Sequence, residues 1–288
     1  MNVKNGFIPA LATPLNDDGS LNEGSYRKQI EAMLEAGAVG MLSMGSMGAE
    51  AALSSETFKR TAEVAADTVK GKVPLFIGAM DNSVYRLKER FEMLKGLQFD
   101  GIVLTTPFYS TTSEANLIKF FKDAADIAPK PVYLYDLPGV TKQKITFSIV
   151  KELSKHPNIK GIKSGDIVLC RKIKRELAEF SAFFSNIDIF DVACSYGLPV
   201  VLDGMFTVTP KNAKLFGDAY AKGDFETAGK YLDNIVAFRD FLLPGGLWPS
   251  YTIAMNLIGF DGYYGHGYDT YTADENSVKE FMTKIGEL

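Results

Sequence analysis

The sequence predicts an α/β protein, a (β/α)8 TIM barrel with a C-terminal helical extension, and three observations carry that prediction. Short apolar, β-rich runs recur every 20 to 35 residues or so. Stretches of helical periodicity lie between them, and the joining segments are short. Strand and helix alternating in this way imply parallel pairing through right-handed crossovers, and eight such units suit closure into a barrel better than an open sheet.

The predicted strands are, in order, FIPAL (7–11), VGMLS (39–43), VPLFIGA (73–79) and GIVLTT (101–106), then PVYLYD (131–136), IKGIK (159–163), SAFFS (181–185) and PVVLDG (199–204). Each is rich in the branched and aromatic residues that suit a strand. The intervening stretches 23–36, 56–69, 84–97, 114–125, 147–153 and 169–179 repeat their apolar residues at helical spacing, and 210–222 reads as the helix after the eighth strand. Beyond it, 224–288 reads as about three more helices, broken at Pro244-Gly245-Gly246 and by the GFDGYYGHGYD loop at 259–269. The expected division is therefore a barrel over 1–222 that carries the active site and a helical domain over 223–288.

Composition narrows the chemistry. With 288 residues, 46% of them hydrophobic, the chain can bury a large core. No apolar run approaches the ~20 residues of a membrane helix, and the apolar patch in MNVKNGFIPAL is too short for a signal peptide, so a cytoplasmic protein is expected. Cys170 and Cys194 are too few for a disulfide framework. A formal charge of -4 and a pI near 5.4, without basic clusters, argue against a nucleic-acid partner. The two histidines, His156 and His266, argue against a His-rich metal centre. Chemistry must then come from Lys, Tyr, Ser and carboxylates, with no cofactor expected.

In such barrels the reacting groups stand where strands end. The turn MGSMGAE (44–50) ends the second strand, and it lacks the longer glycine patterns of dinucleotide or phosphate loops. It is either an ordinary strand-to-helix loop or a nest of backbone N–H groups for a small carboxylate. On the same face fall Tyr109 after the fourth strand, Tyr135 ending the fifth and Lys163 ending the sixth. Burial disfavours the ammonium form of a lysine, and the neutral amine is the form that attacks a ketone. The alternative is a lysine paired structurally with Asp136 or Asp166. Tyr133 and Tyr135 alternate with Leu134 and so share one side of their strand.

These residues carry a resemblance. GFIPALATPLNDDGSLN, GSMGAE, TTPFYS, YLYDLPG and GIKSGD resemble the opening strand, G-[ST]-T-G-E loop, T-P-[YF]-Y, Y-N-x-P and G-[IV]-K segments of the dihydrodipicolinate synthase and N-acetylneuraminate lyase family. The likeness spans essentially the whole chain. It implies class I aldolase chemistry on a pyruvate-like 2-keto acid without a cofactor, in a homotetramer built as a dimer of dimers. It further implies that Lys163 forms the Schiff base, that Tyr135 is the general acid/base, and that Ser46 and a Tyr109 lent by the neighbouring subunit complete a proton relay. Backbone around Gly45, Ser46, Met47 and Gly48 would hold the keto-acid carboxylate, with Leu202 and Asp188 also at the substrate.

Several positions depart from the family pattern. Met47 stands where the loop carries a second threonine, Ala49 where it carries glutamate, with Glu50 adjacent, and Asp136 where it carries asparagine. Val140 occupies the place of the arginine with which dihydrodipicolinate synthases clamp their second substrate, and no basic residue follows before Lys142. The acidic Asp136 and Asp188 would favour polyhydroxy or amino partners. The expected function is a lyase acting on a 2-keto-3-deoxy sugar acid or related 2-keto acid, with pyruvate as product or donor. The alternatives are a dihydrodipicolinate synthase and a keto-acid-binding paralogue with little catalysis.

Overall fold

The computed structural model describes residues 3–269 and 273–288. The first half of the barrel comprises β1 (Gly6–Pro9), α1 (Glu23–Glu35), β2 (Met41–Ser43), α2 (Ser55–Val69), β3 (Leu75–Gly78), α3 (Val84–Met93), β4 (Gly101–Thr105) and α4 (Glu114–Ile127). The second half comprises β5 (Val132–Asp136), α5 (Pro138–Thr141), α6 (Phe147–Leu153), β6 (Ile159–Ser164), α7 (Ile167–Glu176), β7 (Ser181–Phe184), α8 (Phe190–Ser195) and β8 (Val200–Asp203). Then follow α9 (Met205–Val208), α10 (Pro210–Ala221), α11 (Phe225–Leu242), α12 (Leu247–Leu257) and α13 (Glu275–Lys284).

The strands run parallel in the order β1-β8-β7-β6-β5-β4-β3-β2. The seam between β1 and β2 is drawn together by a parallel bridge between Ala10 and Leu42, and the Leu11 N–H donates to the Leu42 carbonyl at 2.8 Å. The expected (β/α)8 barrel is therefore the fold. Alternation along each strand decides what faces where. Val103, Tyr133, Tyr135, Phe183 and Leu202 fill the barrel interior, whereas Ile102, Leu104, Leu134, Ile162 and Val201 pack outward into the layer under the helices. Tyr133 stacks on Phe183 at 5.6 Å and meets Phe76 edge-on at 5.0 Å, which plugs the interior below Tyr135. Gly101 makes room for it, since a Cβ there would come within 2.6 Å of the Tyr133 ring.

Six of the eight strands lie within their predicted runs, β1 starts one residue early at Gly6 and β6 ends one residue late at Ser164, while helix boundaries moved further. The helix expected over 169–179 begins two residues earlier, because the Asp166 side chain accepts from the Leu169 N–H and caps it. The one expected over 84–97 ends at Met93. The one- to two-turn helices α5, α8 and α9 were not predicted at all. The tail does form three helices among the described residues, and the turn after residue 222 separates α10 from α11. α11 packs along α10, α12 against α9, and the Phe241 and Phe281 rings, 4.6 Å apart, join α11 to α13. No helix among the described residues is long and apolar enough to cross a membrane.

Candidate active site

After β2 the chain makes two short 3₁₀ turns, Ser46–Gly48 and Glu50–Ala52. The left-handed conformations here fall on Met44 (φ 55°) and Ala49 (φ 48°) rather than on the glycines. Each costs on the order of 1 to 2 kcal/mol in a side-chain-bearing residue. The glycines answer a different need, space. A Cβ on Gly45 would stand 2.9 Å from Leu42, and one on Gly48 would stand 3.2 Å from the Leu11 carbonyl and the Thr13 hydroxyl. The Thr13 hydroxyl donates to the Gly48 carbonyl at 2.8 Å. The strained turn delivers Ser46 Oγ to 3.1 Å from Tyr135 Oη, where the two share a hydrogen bond.

Tyr135 and Lys163 are register partners on β5 and β6, so the pairing of the strands sets them side by side. Lys163 Nζ lies 3.8 Å from the centre of the Tyr135 ring, and the residue is only 6% exposed. Its head opens into a cavity of about 560 Å³ whose wall includes Ser46, Met47, Tyr135, Asp203 and Arg239. The two carboxylates that the sequence offered as structural partners are engaged elsewhere. Lys144 Nζ bonds Asp136 and stands 2.9 Å from Asp166 Oδ2. Asp136 also accepts from the Ser164 hydroxyl at 2.8 Å and the Ile145 N–H at 3.0 Å, so it is a saturated structural acceptor. Burial raises the Asp203 carboxyl above the usual range, against the pull of the Met205 N–H and the Lys163 charge.

Ser46, Met47, Tyr135 and Lys163 thus meet at one cavity; the other expected residues do not line it. Tyr109 is 90% exposed, its N–H donating to Asn82 Oδ1 at 2.7 Å. Val140 is exposed and borders an adjoining recess of about 320 Å³ that shares Ser46, Met47, Leu137 and Leu247 with the cavity, and Lys142 donates to the Gly139 carbonyl. Leu202 lies in the apolar barrel interior, and Gly45 and Gly48 frame the turn. The expectation that Asp188 faces the substrate is corrected by Arg239, which grips both Asp188 oxygens and itself reaches the cavity wall. Arg239, Leu243 and Leu247 come from the C-terminal helices, so the site is not confined to 1–222. Lys144, Asp203 and Arg239 were missed. Asp203 is the last residue of β8 and Lys163 the last but one of β6, so the same strand-end signal could have flagged it; Arg239 sits in an ordinary amphipathic stretch with no local signal. Among the described residues no group of three or more His, Cys, Asp or Glu is placed to hold a metal ion.

Behind the turn lies a buried charge network. Glu50 is fully buried, with Arg90 Nη1 3.1 Å from its Oε1, and Arg90 in turn reaches Asp81 at 3.2 Å. Asn82, next to Asp81, accepts the N–H groups of Phe108 and Tyr109, so the loops after β2, β3 and β4 are tied together. Burial pushes the Glu50 carboxyl up to about 8, with Arg90 pulling the other way. A folded-state value above the unfolded one means that the folded chain keeps a proton the unfolded chain releases. Stability from this group is complete below the unfolded value and drains away as pH rises toward 8. Melting temperature is expected to fall between pH 6 and 8, at up to ~1.4 kcal/mol per pH unit, and Glu50→Gln should flatten that slope. Identical pH profiles for the two proteins would show that Glu50 is ionised throughout.

A family model described as the dihydrodipicolinate synthetase family matches residues 4–266. The chain is similar to the 4-hydroxy-tetrahydrodipicolinate synthase of Methanospirillum hungatei JF-1, 31% identical over 230 residues that make up 77% of this chain and 78% of the relative. The synthase of the same name from Exiguobacterium sibiricum is 28% identical over 234 residues, 80% of each. Among solved structures, N-acetylneuraminate lyase of Proteus mirabilis superposes with a TM-score of 0.89 at 20% identity, covering both chains completely. A prophage protein of the dihydrodipicolinic acid synthase family from E. coli K12, solved in complex with pyruvate, superposes with a TM-score of 0.87 at 24% identity, again over both whole chains. At those identities the two structures speak for the fold.

Proposed function

The chain belongs to the dihydrodipicolinate synthetase family and is a lyase of that family, and from that premise we propose that it cleaves a 2-keto-3-deoxy sugar acid to pyruvate and an aldehyde through a Schiff base on Lys163. One observation carries the reading: Lys163 Nζ stands 3.8 Å over a tyrosine ring whose hydroxyl is hydrogen-bonded to Ser46. The substrate carboxylate sits on the N–H groups of Ser46 and Met47, which places C2 over the amine. Lys163 Nζ adds to C2; the keto oxygen takes one proton from the amine and one from the Tyr135 hydroxyl and leaves as water, giving an iminium. The Tyr135 phenolate then takes the proton of the C4 hydroxyl, the C3–C4 bond breaks, and its electrons run to the iminium nitrogen as an enamine. C4 departs as the aldehyde. Protonation at C3 and attack of water release pyruvate and the free amine.

Ser46 shares the Tyr135 proton, and Tyr109, exposed on its own protomer, completes the relay from a second copy within a homotetramer. A second reading, condensation of pyruvate with aspartate semialdehyde, is favoured by the names of the relatives in M. hungatei and E. sibiricum. Against it stands the want, among the described residues, of a cation besides Lys163 that is free to hold a second carboxylate at the cavity. Val140 occupies the clamp position, Lys142 is turned to Gly139, and Lys144 and Arg239 are each held by two acids. A buried carboxylate without a partner costs several kcal/mol.

The test has two arms. Borohydride reduction in the presence of pyruvate, followed by intact mass, is expected to leave one reduced adduct on Lys163. Cleavage of at least one 2-keto-3-deoxy sugar acid should then be measurable, alongside condensation with aspartate semialdehyde well below ~10⁴ M⁻¹s⁻¹, the lower edge for ordinary enzymes. Synthase efficiency above that edge would give the chain to the second reading.

A further inference from the structure

Beside the reacting lysine stands another. Asp136 and Ser164 directly follow Tyr135 and Lys163 on β5 and β6 and are themselves register partners, so they form a step at the C-terminal ends of the strands whose side chains leave the face opposite the reacting pair, and Asp136 still borders the cavity. Over this step Lys144 reaches in from the segment between α5 and α6, its side chain 38% exposed and on the cavity wall. An ammonium has three protons to donate. Asp136 and Asp166 take two, and one is left for the cavity. Asp166 in turn caps α7 through the Leu169 N–H at 3.0 Å and keeps its side chain 35% exposed. Burial works against the Lys144 ammonium, but the hydrogen bonds to Asp136 and Asp166 more than offset it and hold its pKa above the usual lysine value.

We propose that Lys144, bridged between Asp136 and Asp166, is the specificity-determining residue for the distal half of the substrate, donating to a hydroxyl there and excluding a second carboxylate. The charge count of the cluster decides between the two ligands. One ammonium and two carboxylates leave a net single negative charge at the rim, which repels an anion at contact distance and leaves a neutral hydroxyl unaffected. A hydroxyl also matches the pattern of groups, since it accepts from Lys144 while donating to Asp166. Arg239 does not compete for the role, because Asp188 and Asp240 occupy its fork.

This assignment rests on the sugar-acid lyase reading, and the experiment separates the two. Lys144→Gln alone would leave Asp136 buried without its cation, so the informative protein is Asp136→Asn/Lys144→Gln, in which both sites keep amides able to pair. Its KM for the sugar acid is expected to rise on the order of 30-fold, the loss of one hydrogen bond to a charged group, with kcat within a few-fold and pyruvate trapping on Lys163 retained. A KM within about threefold of wild type in a protein that still traps pyruvate would overturn the assignment. Loss of trapping would also overturn it, by placing Lys144 at the keto-acid end. Failure of the unmodified enzyme to cleave any sugar acid would instead remove the substrate reading itself, and this assignment with it.

Discussion

Lys163→Ala is expected to abolish turnover and pyruvate trapping while leaving the fold intact. In the proposed mechanism the amine is the atom that becomes covalently bonded, so nothing else in the cavity would substitute for it. Lys144, the other lysine at the cavity, is pinned by two carboxylates. Loss of a covalent nucleophile typically lowers kcat by ~10⁴-fold or more. The fold should survive because the head of Lys163 touches a ring face and the open cavity, with Asp136 and Asp166 keeping their partner when it is removed. Truncation beside an existing cavity is expected to cost about 1 kcal/mol. Steady-state cleavage and thermal melting check the two halves. Residual activity above ~1% in a folded variant would move the nucleophile elsewhere.

Tyr135→Phe is the second large effect. The substitution keeps the ring beneath the Lys163 amine and its packing in the barrel, and deletes only the hydroxyl bonded to Ser46 at 3.1 Å. A positioned acid/base contributes ~10² to 10⁴-fold, so kcat for cleavage should fall by that amount with KM little changed. Adduct formation with pyruvate should slow as well, because expulsion of the keto oxygen needs the same proton. A kcat within about tenfold of wild type would assign the proton transfers to another group, with the raised Asp203 carboxyl next in line.

The barrel was legible because its strands are buried on both faces and therefore read as continuous apolar runs. Lys163 and Tyr135 were legible because a lysine or a tyrosine at the end of such a run breaks the pattern where a barrel keeps its chemistry. What escaped has identifiable causes. α5, α8 and α9 span one to two turns, too short for a 3.6-residue period to repeat. Lys144 lies in a polar stretch, TKQKITF, where a lysine looks like any solvated one; only the fold brings it between the acid that ends β5 and the acid that caps α7. Arg239 is a surface-type residue of a long helix until the tail lays that helix over the mouth. Asp188 was assigned to the substrate for want of knowing that this arginine would claim it. Nor could the sequence place the left-handed backbone on Met44 and Ala49, since propensity alone assigns such angles to the neighbouring glycines.

The roof of the cavity has a consequence in time. Lys163 and Tyr135 leave the ribosome well before Arg239, Leu243 and Leu247 exist, and β1 must wait for β8 before the sheet can close. At ~5 to 20 residues per second the interval between the reacting lysine and its cover lasts several seconds. Throughout it the nascent chain carries the strand-end amine without the helices that bound its cavity. The wall that Arg239, Leu243 and Leu247 supply is in this sense a late acquisition, and a ribosome that stalls within α11 would hold a chain whose Lys163 amine still lacks it.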